Sequence, residues 1–381
     1  MSRINWNDVH DFICRNKDNG YTWKDISDEV ADAYGVELSP NACRCREQRF
    51  LKRQLLDSGL NEFETSVLND SIKDSCRVQD YMNQATASMR RISREQTIID
   101  IANDYADKMC EKVPIKFETK LLNGNNMVQG ILCISDWHYG IMIDNYYNKY
   151  NPEIAVERVH QLFSKVVDCV YRYNLGKLVI VNLGDMIAGR IHAPIKMESR
   201  MDSISQIMEV SELIAMFLSD LSQFVDIEYY EVLDNHSRLE PNVKESLDLE
   251  SLARITGFYL KQRLKDNKRI EIKTNRYSED ILTFEIMGHK VAGVHGDKDK
   301  QKSVINSLTL YTKEFYDLIL TAHLHHFSAD EQNDVVRISN GSLMGTDSYA
   351  IKLRLNSHPS QTLIISSKEN VIESIHKLNL D

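Results

Sequence analysis

The stretch "DLILTAHLHHFSAD" (residues 317–330) places a short apolar run directly before three histidines, His323, His325 and His326. A continuous apolar run of this length is typical of a strand that is buried on both faces of its sheet. Neutral imidazole is the commonest metal ligand in proteins. The stretch therefore predicts a buried strand that ends in a metal site, in a solvated loop, or in a mixture of ligands and a bystander.

Four earlier apolar runs also end in a short polar word. The runs are "GILCIS", "KLVIV", "IEYYEVL" and "HKVAGV", and the words after them are SDWH (135–138), GD (184–185), DNH (234–236) and HGD (295–297). Helical stretches such as 152–174 and 203–225 separate some of the runs, which predicts a layered α/β domain. Because sites in such domains form beyond the carboxyl ends of the strands, all five words are expected to converge on one site.

The residue types in these words suit divalent metals. Asp, His and Asn offer oxygen and nitrogen ligands without a thiolate, which favours Mn, Fe or Zn. Asp136 and His138 are two residues apart, as are His323 and His325, so each pair projects to one side of an extended segment. The set is large enough for two metals that share one carboxylate.

The five words, in this order, resemble the signature of the calcineurin-like metallophosphoesterases: D-x-H, G-D, G-N-H-[DE], a single His, and G-H-x-H. The resemblance covers about residues 126–350 and leans toward the Mre11/SbcD-like nuclease branch. It implies an α/β fold with two β-sheets flanked by helices. Asp234, Ser237 and Ala322 depart from the signature without removing a ligand, and Asp tolerates the left-handed backbone expected at position 234.

The resemblance also implies a role for each residue. The cofactors would be two divalent cations, with Mn²⁺ preferred over Fe or Zn. The first metal would be held by Asp136, His138, Asp185 and His325. The second would be held by Asp185, Asn235, His295 and His323. A metal-activated water would attack phosphorus while His236 protonates the leaving alkoxide, and His326 would be a bystander. Candidate phosphate contacts on the neighbouring loops are Arg190, His192 and Arg238.

Residues 1–58 have a different pattern, with short helical stretches joined by turn signals. Ser39 followed by Pro40 is a helix-start signature. The helix that follows would display Arg44, Arg46, Arg49, Lys52 and Arg53. Two helices, a turn with glycine and a basic third helix resemble a helix-turn-helix module for DNA, although a small helical bundle with a solvated basic face fits as well.

The bulk properties limit where and how the chain works. Residues 59–112 are predicted to be a helical linker and residues 113–381 the catalytic domain. The net charge of −10 opposes a chain coated in basic surface, but residues 40–56 reverse it locally. No apolar run reaches the roughly 18 residues of a membrane span. The seven cysteines include no CxxC pair, which favours a reducing cytoplasm.

Three functions follow from this pattern. The favoured hypothesis is a DNA nuclease, exo- or endo-acting, that residues 1–58 dock onto DNA; a helix-turn-helix-bearing form looks like phage or mobile-element proteins. The alternatives are a phosphodiesterase for small cyclic or linear nucleotides, and a DNA-binding scaffold with a vestigial site. The apolar helical stretch 203–225 favours a homodimer. The sequence identifies no ATPase partner.

Overall fold

The structure of this chain is a computed structural model. It describes residues 6–47, 74, 77–86, 88–89, 127–191, 198–199, 201–240, 242–243, 245–247 and 249–381. The chain divides into two compact units, Met1–Thr97 and Ile98–Asp381. The boundaries predicted at residues 58 and 112, and most of the linker between them, lie outside the described residues and stay predictions.

The N-terminal unit is helical where it is described, as predicted. It begins with α1 (Trp6–Asp18), α2 (Trp23–Tyr34) and α3, whose described part is residues 40–47; residues 77–86 are helical as well. The first three helices share a small core of Val9, Ile13, Ile26, Val30 and Cys43. This core explains the helical spacing of the apolar residues in α1 and α2.

Local capping signals set the ends of these helices. Thr22 and Asp25 form a capping box at the start of α2, in which each side chain accepts a hydrogen bond from the other residue's backbone N–H. Gly35 ends α2 in the left-handed conformation, with φ 65°. The Oγ of Ser39 accepts a hydrogen bond from the Ala42 N–H at 3.2 Å. The helix start predicted at Ser39 is confirmed.

Two β-sheets form the centre of the second unit. The first contains, in spatial order, β13 (Ser374–Asn379), β12 (Ser360–Ser367), β1 (Val128–Ile134), β4 (Lys177–Asn182), β5 (Asp226–Glu231) and β6 (Ile270–Ile272). The second contains β10 (Ser328–Gln332), β11 (Val335–Ser339), β9 (Leu318–Thr321), β8 (His289–Gly293) and β7 (Leu282–Ile286). The short strands β2 (Ile143–Asp144) and β3 (Lys149–Tyr150) form a separate hairpin.

The sheets are mixed, with parallel strands at their centres. Strands β1, β4, β5 and β6 run parallel, and so do β8, β9 and β11 in the other sheet. Antiparallel pairing occurs at one side of the first sheet, through β12 and β13, and at both edges of the second sheet, through β7 and β10. The strands predicted from the five apolar runs are β1, β4, β5, β8 and β9, so three lie in the first sheet and two in the second.

Side-chain alternation along the strands divides the core into layers. Ile131 faces the other sheet, where it belongs to one apolar cluster with Leu320, whereas its neighbour Leu132 faces helices α4 (Pro152–Tyr173), α5 (Ser203–Leu221) and α6 (Ala253–Arg263). Ile319 faces helix α7 (Val304–Thr312) on the far side of the second sheet. The short helix α8 (Ser348–Lys352) follows β11. The predicted fold class, two β-sheets flanked by helices, is confirmed.

Candidate metal centre

The loops that follow β1, β4, β5, β8 and β9 meet at one end of the two sheets. Backbone hydrogen bonds join them in pairs: the Asp136 N–H donates to the Gly184 carbonyl at 3.0 Å, and the Ala322 N–H donates to the His295 carbonyl at 2.8 Å. The convergence expected from the five polar words is therefore present. It results from parallel strands ending side by side.

These loops bend sharply at the side chains that matter. Five non-glycine residues of the polar words have positive φ, between 44° and 70°: Asp136, His138, Asp185, His323 and His325. Left-handed backbone is unfavourable for residues with a side chain and costs on the order of 1 kcal/mol or more at each position. It persists because the packed strands fix the loops, and it turns each of these side chains toward a common point.

The first group of donor atoms comes from Asp136, His138, Asp185 and His325, whose ligand atoms all lie within 4.8 Å of one another. The Nε2 atoms of His138 and His325 are 3.1 Å apart. The His325 Nε2 lies 3.5 Å from Asp136 Oδ1, and the His138 Nε2 lies 3.7 Å from Asp185 Oδ2. Both carboxylates are fully buried.

The second group comes from Asp185, His295 and His323, and it shares Asp185 with the first. The His295 Nε2 lies 3.2 Å from Asp185 Oδ2 and 3.2 Å from the His323 Nδ1. The Asn235 Oδ1 lies 2.9 Å from the same His295 nitrogen. All seven residues that the sequence pattern implies as ligands are therefore present in two adjoining groups.

The donor set fits two divalent cations. Among the described residues, no hydrogen-bond partner reaches the buried Asp136 Oδ1, which is unfavourable unless a cation compensates it. Metal–nitrogen bonds of roughly 2.0–2.1 Å place two ligands of one ion about 3–3.5 Å apart, close to the distances found here. An oxygen and imidazole set without thiolate suits Mn, Fe or Zn.

The electrostatics prepare the first group for a cation. Burial lowers the pKa of His138 well below its usual value and that of His325 to about 4, so both rings are neutral and can ligate. Burial, together with the charge of Asp185, raises the pKa of Asp136 to about 7. A cation between these groups would replace the proton that the buried carboxyl otherwise favours.

Asp185 and His295 form a charged pair. Burial alone would raise the pKa of Asp185, but His236 and His295 outweigh it and hold that pKa well below its usual value. Burial likewise opposes protonation of His295, and Asp185 outweighs it and raises the pKa of His295 to about 10. The lowered pKa favours the ionised form of the shared carboxylate, which is the form that binds a cation.

His236 lies beside the two groups and belongs to neither. Its Nδ1 is 2.7 Å from the Ala188 carbonyl, which requires a proton on Nδ1, and its Nε2 faces the centre 3.8 Å from Asp185 Oδ2. The ring is 7% exposed. Gly189 allows this packing, because a Cβ there would stand 2.1 Å from the His236 carbonyl oxygen. The position suits a general acid that acts through Nε2.

The departures from the family signature are compensated locally. Asp234 caps its own turn: its Oδ1 accepts from the Ser237 N–H at 2.7 Å and its Oδ2 from the Ser237 hydroxyl at 3.0 Å. The left-handed backbone expected at Asp234 is wrong, since its φ is not positive. Gly184, which packs against Asp234, does have positive φ (94°), and a Cβ there would stand 2.6 Å from the Asp234 Cβ.

The expected phosphate contacts differ in their surroundings. Arg190 donates to the Leu239 carbonyl at 3.2 Å and so bridges two of the loops. Arg238 is half-buried, and its Nε has no hydrogen-bond partner among the described residues. His192 lies outside the described residues. His326 is exposed, with its Nδ1 2.9 Å from the Leu324 carbonyl, in line with the role of a bystander.

Three residues to which the sequence pattern assigned no role hold Asp136 in place: Ser135, at the start of its own polar word, and Asn340 and Gln361, which lie outside the polar words. The Ser135 hydroxyl donates to Asp136 Oδ2 at 2.6 Å, and the Asn340 amide donates to that hydroxyl at 2.9 Å. The Gln361 Oε1 accepts from the Ser135 N–H at 2.9 Å. The word "SNGS" (339–342) after β11 was an available signal for Asn340, whereas Gln361 lies within β12 with no signal of its own.

A cavity of about 270 Å³ opens next to the second group of donor atoms. His295 lines it together with Tyr311, Lys298 and three aspartates, Asp280, Asp297 and Asp299. Lys298 pairs with Asp280 at 3.0 Å. The cavity is therefore acidic as a whole, with one aromatic wall.

A curated protein of similar length is related to this chain. The sequence matches no family model. It is 25% identical to the SPbeta prophage-derived uncharacterized protein YonJ of Bacillus subtilis (strain 168) over 388 aligned positions. The alignment covers 96% of this chain and 95% of the relative.

Solved structures resemble part of this chain. A novel archaeal phosphodiesterase shares 13% identity over 66% of this chain and 99% of its own, with a TM-score of 0.34. The Vps29 of Entamoeba histolytica, complexed with zinc, shares 11% identity over 66% of this chain and 99% of its own, with a TM-score of 0.33. At these scores and identities neither likeness bears on the activity of this chain. None of the helices in the described residues is long and apolar enough to cross a membrane.

Proposed function

We propose that this chain is a dinuclear metal-dependent phosphodiesterase and that its substrate is DNA. One observation carries the proposal: two groups of buried donor atoms share Asp185, and the Nε2 of His236 lies 3.8 Å from that carboxylate without joining either group. Two neighbouring cations and a separate general acid are together sufficient to catalyse phosphodiester hydrolysis.

The first cation would be held by Asp136, His138, Asp185 and His325, and the second by Asp185, Asn235, His295 and His323. When bound, the two cations supply positive charge that polarises a phosphoryl group and makes water acidic enough to ionise near neutral pH. Mn²⁺ is the proposed metal, with Fe or Zn as alternatives, because the ligands are oxygen and imidazole.

The chain's own residues supply the proton. With Nδ1–H donating to the Ala188 carbonyl, the protonated ring of His236 carries its second proton on Nε2, facing the shared carboxylate. That proton passes to the leaving alkoxide oxygen as its bond to phosphorus breaks. The hydrogen bond to the Ala188 carbonyl fixes the orientation of the ring, so that Nε2 faces the site of bond cleavage.

The choice of DNA rests on the N-terminal unit. Arg44 is exposed on α3, the helix that a helix-turn-helix module would present to DNA, and the basic residues Arg49, Lys52 and Arg53 lie outside the described residues. A local basic face can overcome the net charge of −10, since phosphate contacts supply most non-specific affinity. The prophage-derived relative supports a mobile-element source for such a module.

A phosphodiesterase for small nucleotides is the second candidate. The cavity of about 270 Å³ beside His295 supports it, because Tyr311 would give a single base an aromatic wall. Its aspartates, however, would repel a second phosphate. A homodimer through α5 also stays a proposal, and most apolar side chains of α5 are buried within its own unit.

The deciding experiment incubates the full chain with Mn²⁺ and linear duplex DNA, single-stranded DNA or a panel of cyclic dinucleotides, with Asp185→Ala as the matched inactive variant. We expect wild-type protein alone to degrade DNA. Cleavage confined to the small nucleotides would replace DNA with the second candidate. Failure to hydrolyse any diester with Mn²⁺, Fe²⁺ or Zn²⁺ would overturn the phosphodiesterase itself.

A further inference from the structure

We propose that an edge next to His325 is a stacking surface for single-stranded nucleic acid. Its rings are Tyr146 and Tyr147, at the tip of the β2–β3 hairpin, and Tyr349, on α8; we call these three residues the tyrosine edge. The inference rests on the proposed phosphodiesterase function and names the form of its substrate.

The three rings are unusually open to solvent. Tyr146 is 94% exposed, Tyr147 is 56% exposed and Tyr349 is 68% exposed. Tyr146 and Tyr147 pack edge to face, with ring centroids 5.0 Å apart. Grouped exposed aromatic side chains mark binding surfaces, and base–aromatic stacking is the sequence-tolerant contact of single-strand binding proteins.

The segment that carries Tyr349 leaves and re-enters the candidate metal centre. Before α8, the Ser342 hydroxyl donates to the Asp136 carbonyl at 2.8 Å, and Asp347 caps the helix with a hydrogen bond from the Ala350 N–H. After α8, the Ser357 hydroxyl donates to the His325 carbonyl at 2.8 Å. Tyr349 is therefore positioned by the same backbone that holds two of the proposed metal ligands.

The hairpin is attached to this segment. The buried amide of Asn148 donates to the Met344 carbonyl at 2.8 Å and to the Thr346 carbonyl at 3.1 Å. The buried guanidinium of Arg158 donates to Asn148 Oδ1 at 3.0 Å and to the Met344 carbonyl at 2.7 Å. These bonds fix the hairpin and the α8 segment relative to each other, so binding would need little reordering.

The charged side chains on these segments favour nucleic acid over a second copy of the chain as the ligand of the tyrosine edge. Three exposed cations lie on the same two segments: Lys149 on β3, Lys352 at the end of α8 and Arg354 just after it. Among the described residues, Lys149 alone of the three forms an ion pair, with Asp144 at 3.7 Å. Cations interleaved with aromatic rings fit a phosphate backbone with unstacked bases. A second copy of the chain fits less well, because a two-fold interface would bring the same cations against one another.

The test compares two substrates of the full chain with Mn²⁺: a short single-stranded oligothymidylate and bis(p-nitrophenyl) phosphate, which is too small to span the centre and the edge. The variants are Tyr146→Ala/Tyr147→Ala and Tyr349→Ala. We expect kcat/KM for the oligonucleotide to fall by about five- to 150-fold for each base that can no longer stack on a tyrosine ring, with hydrolysis of the small diester retained.

Tyr171→Ala is the matched control, since Tyr171 is also exposed but lies on α4 against Phe224. It should leave both rates unchanged. Oligonucleotide binding to the same variants in EDTA, followed by fluorescence anisotropy, gives a second readout that needs no metal. A loss of affinity in the tyrosine variants and not in Tyr171→Ala supports the edge.

The failures are distinguishable. Wild-type protein that cleaves the small diester, with unchanged oligonucleotide rates in the tyrosine variants, overturns the edge and leaves the phosphodiesterase standing. If wild-type protein cleaves neither substrate, the proposed phosphodiesterase function is overturned. Oligonucleotide binding measured in EDTA then tests the tyrosine edge by itself. A dimer in solution that the tyrosine substitutions dissociate overturns the edge in favour of self-association.

Discussion

The N-terminal helices follow the conformational preferences of their residues more closely than the ligand loops of the second unit do. In α1–α3, a capping box begins α2, and the residues with positive φ in the described part of this unit are glycines, Gly20 and Gly35. In the ligand loops, Asp136, Asp185 and His325 are among the residues with positive φ. Aspartate and histidine occupy conformations that glycine would adopt more easily.

The difference shows where the sequence serves stability and where it serves a site. Each signal in the N-terminal helices agrees with the structure it produces, which is how a sequence specifies a fold. The ligand loops combine unfavourable backbone, two buried carboxylates and four converging imidazoles besides His236. Such an arrangement is retained only where surrounding structure and a bound group offset it.

The largest effect is expected when the shared carboxylate is removed. Asp185→Ala deprives both proposed cations of a ligand, and each cation contributes several kcal/mol to catalysis, so diester hydrolysis should fall more than about 10⁴-fold. Initial rates on DNA and on bis(p-nitrophenyl) phosphate measure the loss. Activity within tenfold of wild type would mean that Asp185 is an ordinary buried residue.

The next effect concerns the proton donor. His236→Ala should keep both cations bound and lower hydrolysis of diesters with alkoxide leaving groups about 10²- to 10⁴-fold, because general acids typically contribute that much. Diesters with a p-nitrophenolate leaving group, which needs no proton, should be much less affected. Equal losses on the two substrate types would assign His236 a structural role.

A smaller effect is expected from the hydroxyl that orients Asp136. Ser135→Ala removes the 2.6 Å hydrogen bond to Asp136 Oδ2 and should weaken metal binding about 10- to 100-fold. Titration calorimetry with Mn²⁺ measures the affinity. Ser211→Ala is the control, because Ser211 is equally buried but pairs with Thr256 in the helical layer. Equal affinities in the two variants would contradict the orienting role.

The smallest effects belong to the N-terminal helices, where two neighbouring arginines should behave differently. Arg46 lies over the Trp6 ring at 4.2 Å, so Arg46→Ala should lower the free energy of unfolding by about 0.5–1 kcal/mol. Arg44 is exposed, so Arg44→Ala should leave thermal stability unchanged and reduce the salt dependence of DNA binding by about one phosphate contact. If DNA affinity is unchanged both by Arg44→Ala and by deletion of residues 1–58, these residues are not a DNA-docking module.

The positions of five strands along the chain and of the candidate ligands that follow them could be predicted, because both depend on short-range pattern. Each apolar run ends within a few residues of its polar word, so strand and ligand are read together, as at β9 and His323. The helices predicted at 152–174 and 203–225 could be recognised in the same way, because the spacing of their apolar residues reflects one buried side.

The supports of the site could not be predicted, because they depend on long-range pairing. Gln361 reaches Ser135 only because β12 pairs antiparallel with β1, a contact between residues more than two hundred positions apart. The hydrogen bonds between Asp234 and Ser237 could not be predicted either, because the family signature has different residues at both positions. The extended segments predicted at Asp136–His138 and His323–His325 are wrong, because these four residues have positive φ, a conformation against which propensity argues.

The most direct test of the account is the stoichiometry and coupling of bound Mn²⁺, measured by calorimetric titration and electron paramagnetic resonance on the full chain and on Asp185→Asn. We expect two Mn²⁺ ions per chain with a spin-coupled signal, and loss of the coupled signal in the variant. A single ion, or none, in wild-type protein, or a coupled signal that Asp185→Asn leaves unchanged, would contradict a dinuclear centre that shares Asp185.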